Sequence, residues 1–229
     1  CIRDSVHGGG LIIGNKEFNR YFCALLCKKG FLVYSIEYRL IPDCLIYDQI
    51  ADVFMAMDYI KERLAADGGD SSHVYMAGDS GGACLITYAN AIQNSTNIAR
   101  AANVTPSGLR INALGLISGM FYTSRFDKIG LFLPKYLYGR DYKKTSFAKY
   151  VNPENRELLN SLAPVWLVTS HNDFLRRYTT DFEKALTRAE REHELVVFPK
   201  NKKLTHAFSV FEPFLSESSA VIDLSLIHI

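Results

Sequence analysis

The sequence predicts an α/β fold, a mostly parallel sheet with helices on both faces. Three observations carry that expectation. Short apolar segments suited to buried strands alternate with segments of helical period. A serine flanked by glycines lies between one of those strands and the helix after it, at a strand end where α/β folds build their sites. And 229 residues that are 48% hydrophobic and 22% charged hold enough apolar material for one sizeable core, which excludes disordered and collagen-like chains.

The strands expected in chain order are 31–38, 74–77, 113–117, 165–169 and 195–198, each a run rich in β-branched, aromatic or other apolar residues. The helices expected between them are 16–28, 48–65, 81–93 and 179–192. In the second of these Ile50, Phe54, Met57 and Ile60 recur every three or four residues, and Gly30 follows Lys28 and Lys29 as a stop for the first. The stretch 121–162 breaks the alternation. It is rich in Phe and Tyr, among them Phe121, Tyr122, Phe126, Phe132 and Tyr136, lacks a clear strand, and is too long for a plain loop, so it reads as an inserted lid over a site or as a packed subdomain.

Lys plus Arg at 26 against Asp plus Glu at 24 gives a net charge of +2; read along the chain the charges look evenly spread with no basic stripe, so no nucleic-acid partner is expected. Apolar runs such as 31–34 and 113–117 fall far short of the roughly 20 residues of a membrane-spanning helix. Cys1, Cys23, Cys27, Cys44 and Cys84 are odd in number and lack CxxC spacing, which argues against a disulfide framework or a zinc site and for a reducing, cytoplasmic compartment. Cys23 and Cys27, one helical turn apart among apolar neighbours, read as buried thiols, and Trp166 reads as structural.

The two ends look foreign. Cys1 to Ser5 can be encoded by TGT ATA AGA GAC AGN and the last six residues by CTG TCT CTT ATA CAC ATC, strings that are reverse complements over their shared length and look like a transposase-type adapter. Residues 1–5 and 224–229 are therefore expected to be library-derived, with 6–223 as a partial native domain.

Gly78-Asp79-Ser80-Gly81-Gly82 has the strand-then-helix context of a nucleophile elbow. Glycines permit the sharp turn that thrusts the hydroxyl out at a helix N-terminus, where free N–H groups favour developing negative charge. The same five letters surround the nucleophile of trypsin-like proteases, but those are β-barrels whose His and Asp precede the Ser; only His7 and His73 precede Ser80, and a helix follows it. His7-Gly8-Gly9-Gly10 reads as the second half of an oxyanion hole, its N–H groups joining that of Gly81. Asp173 and His206 follow expected strands, in the order Ser, Asp, His, and read as the acid and base that complete a triad. Rival acids are Asp127 and Asp181; rival histidines are His171, His193 and His228.

These motifs, together with Tyr38-Arg39-Leu40-Ile41-Pro42-Asp43, Asp173-Phe174-Leu175 and His206-Ala207-Phe208, resemble the ordered motifs of the hormone-sensitive-lipase-like esterases of the α/β-hydrolase fold. The resemblance covers nearly all of 6–223. It implies Ser80, Asp173 and His206 as the triad and the N–H groups of Gly9, Gly10 and Gly81 as oxyanion donors, with Gly8 shaping the loop. The family has Ala-Gly-Gly after the serine where this chain has Gly81, Gly82 and Ala83, Glu in place of Asp43, and Gly in place of Ala207. The resemblance also implies an absent N-terminal cap and an absence of nearly all of the strand leading into His7, whose loss would leave the oxyanion loop unsupported and the chain poorly folded. The expected activity is hydrolysis of short or medium acyl esters without metal or cofactor. An amidase or formamidase with the same triad, and a non-catalytic ligand-binding module on the same fold, are the alternatives; oligomeric state is open.

Overall fold

The computed structural model describes residues 2–228. Six strands form one parallel sheet: β1 (Ile2–Val6), β2 (Leu32–Ile36), β3 (Val74–Asp79), β4 (Ala113–Ile117), β5 (Val165–Ser170) and β6 (His193–Phe198), in the spatial order β2-β1-β3-β4-β5-β6. The five strands expected from sequence are β2 to β6. The strand at 2–6 falls on residues expected to be foreign, where the strand leading into His7 is expected to be absent. It is formed here, with Val6 opposite Ile36 on one side and Gly78 on the other. His7 therefore follows a fully paired central strand.

Helices alternate with these strands as a parallel sheet requires. Before β2 comes α1 (Arg20–Lys28), preceded by one 3₁₀ turn (Lys16–Asn19); before β3 comes α2 (Ile46–Arg63). Asp48 caps α2 by accepting the Leu45 N–H at 2.9 Å, and Ile50, Val53, Phe54, Met57 and Ile60 bury one face against the sheet. Each such side chain contributes about 1.5–3 kcal/mol on full burial. Next are α3 (Gly81–Asn94), buried almost throughout, and α4 (Thr96–Ala102), a helix not expected from sequence and capped by Ser95. After β5 comes α8 (Arg176–Arg188), and after β6 come α9 (Phe208–Phe211) and α10 (Ser216–His228), which runs through the segment expected to be foreign.

The region 121–162 contains no strand. It holds α5 (Lys128–Phe132), α6 (Pro134–Tyr138), two 3₁₀ turns and α7 (Arg156–Asn160). Its aromatics divide. Phe121, Tyr138, Phe147 and Tyr150 are buried in the larger core between the sheet and α2, α3 and α8, while Phe126, Phe132 and Tyr136 are exposed. A smaller core, with Phe22, Trp166 and Phe208, lies under α1, α9 and α10 on the opposite face of the sheet. Trp166 is buried in β5, Cys23 is buried, and Cys27, expected to be buried, is exposed because it lies on the outer side of α1.

Candidate active site

Five strand ends meet at the carboxyl edge. Ser80 caps α3 directly after β3 with φ 50° and ψ −114°, a strained conformation for a side-chain-bearing residue and the one an elbow imposes. Its N–H donates to the carbonyl of Ile117 at the end of β4 (2.9 Å), and its own carbonyl accepts from Met120 (2.9 Å). Gly82 faces the carbonyl oxygens of Val6 and His7 at the end of β1, and a methyl group there would leave no room for them.

His206 lies in the loop after β6 and Asp173 in the loop after β5. Nδ1 of His206 is 2.7 Å from Oδ1 of Asp173, so the ring donates its Nδ1–H to the carboxylate and Nε2 is left without a proton in the neutral ring. Asp173 also accepts from the Leu175 N–H (2.8 Å) and the Thr169 hydroxyl (2.9 Å). Burial by itself would raise this carboxyl; its hydrogen bond and charge attraction to His206, with the further donors, outweigh that and hold it below the usual carboxylate range. The His206 loop is tied to the elbow through Ser118, next to Ile117, whose hydroxyl accepts the Ala207 N–H at 3.1 Å. Phe174 packs against the His206 ring in a tilted arrangement, 4.3 Å between centroids and 42° between planes. Among the described residues no hydrogen bond joins Ser80 to His206.

The glycine loop after β1 is braced from below. The Asp79 carboxylate accepts the Gly8 N–H at 3.1 Å and the Asn19 side-chain amide at 2.9 Å. Burial pushes the Asp79 carboxyl up, against the pull of Asn19, His206, His7 and the Gly8 N–H. Tyr38 donates its hydroxyl to the His7 carbonyl (2.7 Å) and stacks on the His7 ring at 4.3 Å, while His7 Nδ1 is 2.9 Å from the Gly8 carbonyl. The Gly8 N–H is thus engaged, and Gly8 shapes the loop. Among the described residues the N–H groups of Gly9, Gly10 and Gly81 donate to no protein acceptor. They are neighbours: a methyl on Gly81 would come 3.1 Å from the Gly10 nitrogen.

The rival groups are committed elsewhere. Asp127 caps α5 and accepts the Tyr178 hydroxyl at 2.6 Å; Asp181 pairs with Arg125 at 2.9 Å. His193 contacts the Arg191 carbonyl and Thr187, His171 is exposed, and the side chain of His228 lies outside the described residues. Asn19, Ser118 and Thr169 belong to no motif legible in the sequence; Asp79 is visible inside the elbow motif, but its partner Gly8 lies 71 residues upstream. Beside the elbow an apolar pocket of about 350 Å³ is lined by Gly10, Ile12, Met120 and residues of α5 and α6, including Ile129, Phe132 and Tyr136.

A parallel sheet whose third strand turns into a strained serine at a helix N-terminus defines the nucleophile-elbow class of α/β proteins. Residues 5–209 match the family described as alpha/beta hydrolase fold, and the chain belongs to that family. Its backbone is similar to that of esterase B from Lactobacillus rhamnosis, with a TM-score of 0.89 and 23% identity over 99% of this chain and 73% of that one. It is also similar to an esterase from Pyrobaculum calidifontis, with a TM-score of 0.75 and 21% identity over 100% of this chain and 77% of that one. By sequence, a probable isoprenylcysteine alpha-carbonyl methylesterase of Oryza sativa subsp. japonica is 28% identical over 165 residues, 67% of this chain and 40% of that protein. Lipase 2 of Moraxella sp. strain TA144 is 32% identical over 80 residues, 34% of this chain and 18% of that protein. The chain thus matches two fifths or less of the length of these two relatives. No helix among the described residues is long and apolar enough to cross a membrane.

Proposed function

We propose that this chain is the catalytic part of a serine carboxylesterase that cleaves short or medium acyl esters through an acyl-enzyme. The observation that carries the reading is the 2.7 Å Asp173–His206 pair standing at the same sheet edge as the strained Ser80 elbow. With Nδ1 held by the carboxylate, Nε2 of His206 takes the Ser80 proton as the oxygen attacks the ester carbonyl. The carbonyl π electrons move onto its oxygen, and the uncommitted N–H groups of Gly9, Gly10 and Gly81 receive that charge; one such donor typically contributes about 100- to 1000-fold in rate. Collapse expels the alcohol, protonated by His206, and water then repeats the sequence on the acyl-enzyme. The Ser80–His206 hydrogen bond forms with substrate in this reading, as is common for catalytic contacts that are long in a free enzyme.

The acyl chain enters the apolar 350 Å³ pocket, whose lining does not include His206, leaving the alcohol on the side where His206 protonates it. Relatives named as a methylesterase, a lipase and esterases favour an ester over an amide substrate. Ser80→Ala is expected to abolish p-nitrophenyl butyrate turnover while leaving the far-ultraviolet circular dichroism unchanged. Retained turnover in that variant would overturn the assignment.

A further inference from the structure

The insert between β4 and β5 carries a charge unlike the rest of the chain. Residues 121–162 hold eight Lys or Arg against four acids, whereas the whole chain holds 26 against 24, so the remainder is acidic by two. The even spread expected from end-to-end reading is corrected here: positive charge is concentrated on one inserted region. Folding places that charge outside. Lys135, Arg140 and Lys143 line an open cavity of about 490 Å³, whose single carboxylate, Asp141, is already paired with Lys144 at 2.9 Å. Among the described residues no carboxylate lies within ion-pair distance of Lys135, Arg140 or Lys143.

Apolar side chains stand beside these cations. Phe126 is 93% exposed and Phe132 73%, and Leu131 and Tyr136 are also more than half exposed. Exposed apolar clusters rimmed by charge mark interaction surfaces. We propose that this insert docks the protein on an anionic lipid surface. Basic residues are drawn to the negative potential of such a surface, and aromatic and aliphatic side chains enter its headgroup boundary. Charge complementarity selects the occupant: a zwitterionic or purely apolar partner would leave Lys135, Arg140 and Lys143 unanswered. Phe132 and Tyr136 also wall the apolar pocket beside Gly10 and Met120, so a docked insert would turn the mouth of that pocket toward acyl chains. That consequence rests on the esterase reading; the docking itself does not.

The test is co-sedimentation of the chain with vesicles of phosphatidylcholine alone and of phosphatidylcholine with 30% phosphatidylglycerol. Binding to the anionic vesicles should be at least tenfold tighter and should weaken between 0.05 and 0.5 M NaCl. Each basic group near the surface is worth about fivefold, so the double variant Arg140→Glu/Lys143→Glu should lose at least about twentyfold. Phe126→Ser should weaken binding at fixed charge. Both variants should keep p-nitrophenyl acetate turnover within twofold of the parent, and Ser80→Ala should sediment as the parent does, which separates docking from catalysis. Equal binding to neutral vesicles, no binding, or unchanged binding by the charge-reversal variant would overturn the proposal. So would release by millimolar glycerol phosphate, which points to a free-phosphate site, equal retention on single-stranded DNA, or a dimer in sedimentation velocity that Phe126→Ser dissolves.

Discussion

Two neighbouring strands in the middle of the sheet, β1 and β3, meet the same surroundings with different chemistry. Strand β3 is apolar until its end, where Asp79 is answered by the Gly8 N–H and the Asn19 amide. Strand β1 sets Asp4 opposite Met76 and Tyr34, on the face it shares with Val6, with the carboxyl fully buried and neither oxygen hydrogen-bonded. Burial pushes the Asp4 carboxyl up to about 8. A carboxylate is stable inside this fold where donors arrive with it, as they do at Asp173 and in part at Asp79, and is a liability where only a strand position is available.

The partnered extreme gives the largest expected effect. Asp173→Asn removes the negative charge that offsets the His206 imidazolium and adds an NH2 donor that can face Nδ1 and favour the wrong tautomer, so turnover should fall by about 10⁴-fold with little change in global stability. Steady-state kinetics beside a thermal melt would check this. A loss under tenfold would mean that the 2.7 Å pair does not serve catalysis.

The unpartnered extreme acts on stability and carries a pH signature. A carboxyl raised from 3.8 to about 8 stays protonated in the folded state while the unfolded chain ionises from about pH 4 upward. Folding stability from this group is therefore intact below about pH 4 and is lost as pH rises to about 8, at about 1.4 kcal/mol per pH unit before relaxation reduces it. Asp4→Val should be more stable than the parent by about 3–5 kcal/mol at pH 8.5, with the gap narrowing steadily toward pH 4.5. Denaturant midpoints at three pH values would measure it, and a gap independent of pH would show that the carboxyl finds a partner or water in solution.

Asp79 lies between the two extremes. Its Oδ1 holds the Gly8 N–H and Asn19, while Oδ2 has no hydrogen bond. Asp79→Ala should loosen the loop that presents the Gly9 and Gly10 donors and lower kcat by about 10- to 100-fold, part of the effect of losing a donor outright. KM should move less than threefold, because most of the lining of the proposed acyl pocket, Met120 and the side chains of α5 and α6, lies off that loop. Asp79→Asn keeps an acceptor for the Gly8 N–H and should restore most of kcat; equal losses in both variants would assign Asp79 to charge rather than to loop positioning.

Most of the sheet was legible because a parallel strand buried on both faces is written as a continuous apolar run, as in Val74–Asp79 and Val165–Ser170. The placement of Ser80, Asp173 and His206 after strands of one sheet edge was legible from their order along the chain. What was not legible depends on contacts across the chain or on runs too short to show a period. Helix α4 is seven residues long and its Ser95 cap reads as any loop serine; β1 is made of residues whose polarity says nothing of a central strand. The bracing of Gly8 by Asp79 exists only once β1 and β3 are paired. The insert's aromatics could not be divided into core and surface because both kinds occur at similar spacing, and its charge is diluted in the whole-chain balance.

The smallest effect is expected beside His206, where alanine stands in place of the family's glycine. Ala207 has φ 50° and ψ 36°, in the left-handed region, and is fully buried with its N–H on Ser118. Glycine there would relieve about 1–2 kcal/mol of left-handed strain. It would also forfeit about 0.5–1 kcal/mol through the freer unfolded backbone and about 0.8 kcal/mol through the lost methyl. The terms nearly cancel, so Ala207→Gly should shift stability by less than about 1 kcal/mol and leave kcat within threefold. Valine meets the same backbone with no such offset: a β-branched side chain in the left-handed region, in a space already filled by a methyl, should cost several kcal/mol and displace the His206 loop. Urea midpoints and kcat for the two variants together decide whether the strain resides at Ala207, since a glycine variant as damaged as the valine variant would place it elsewhere in the loop.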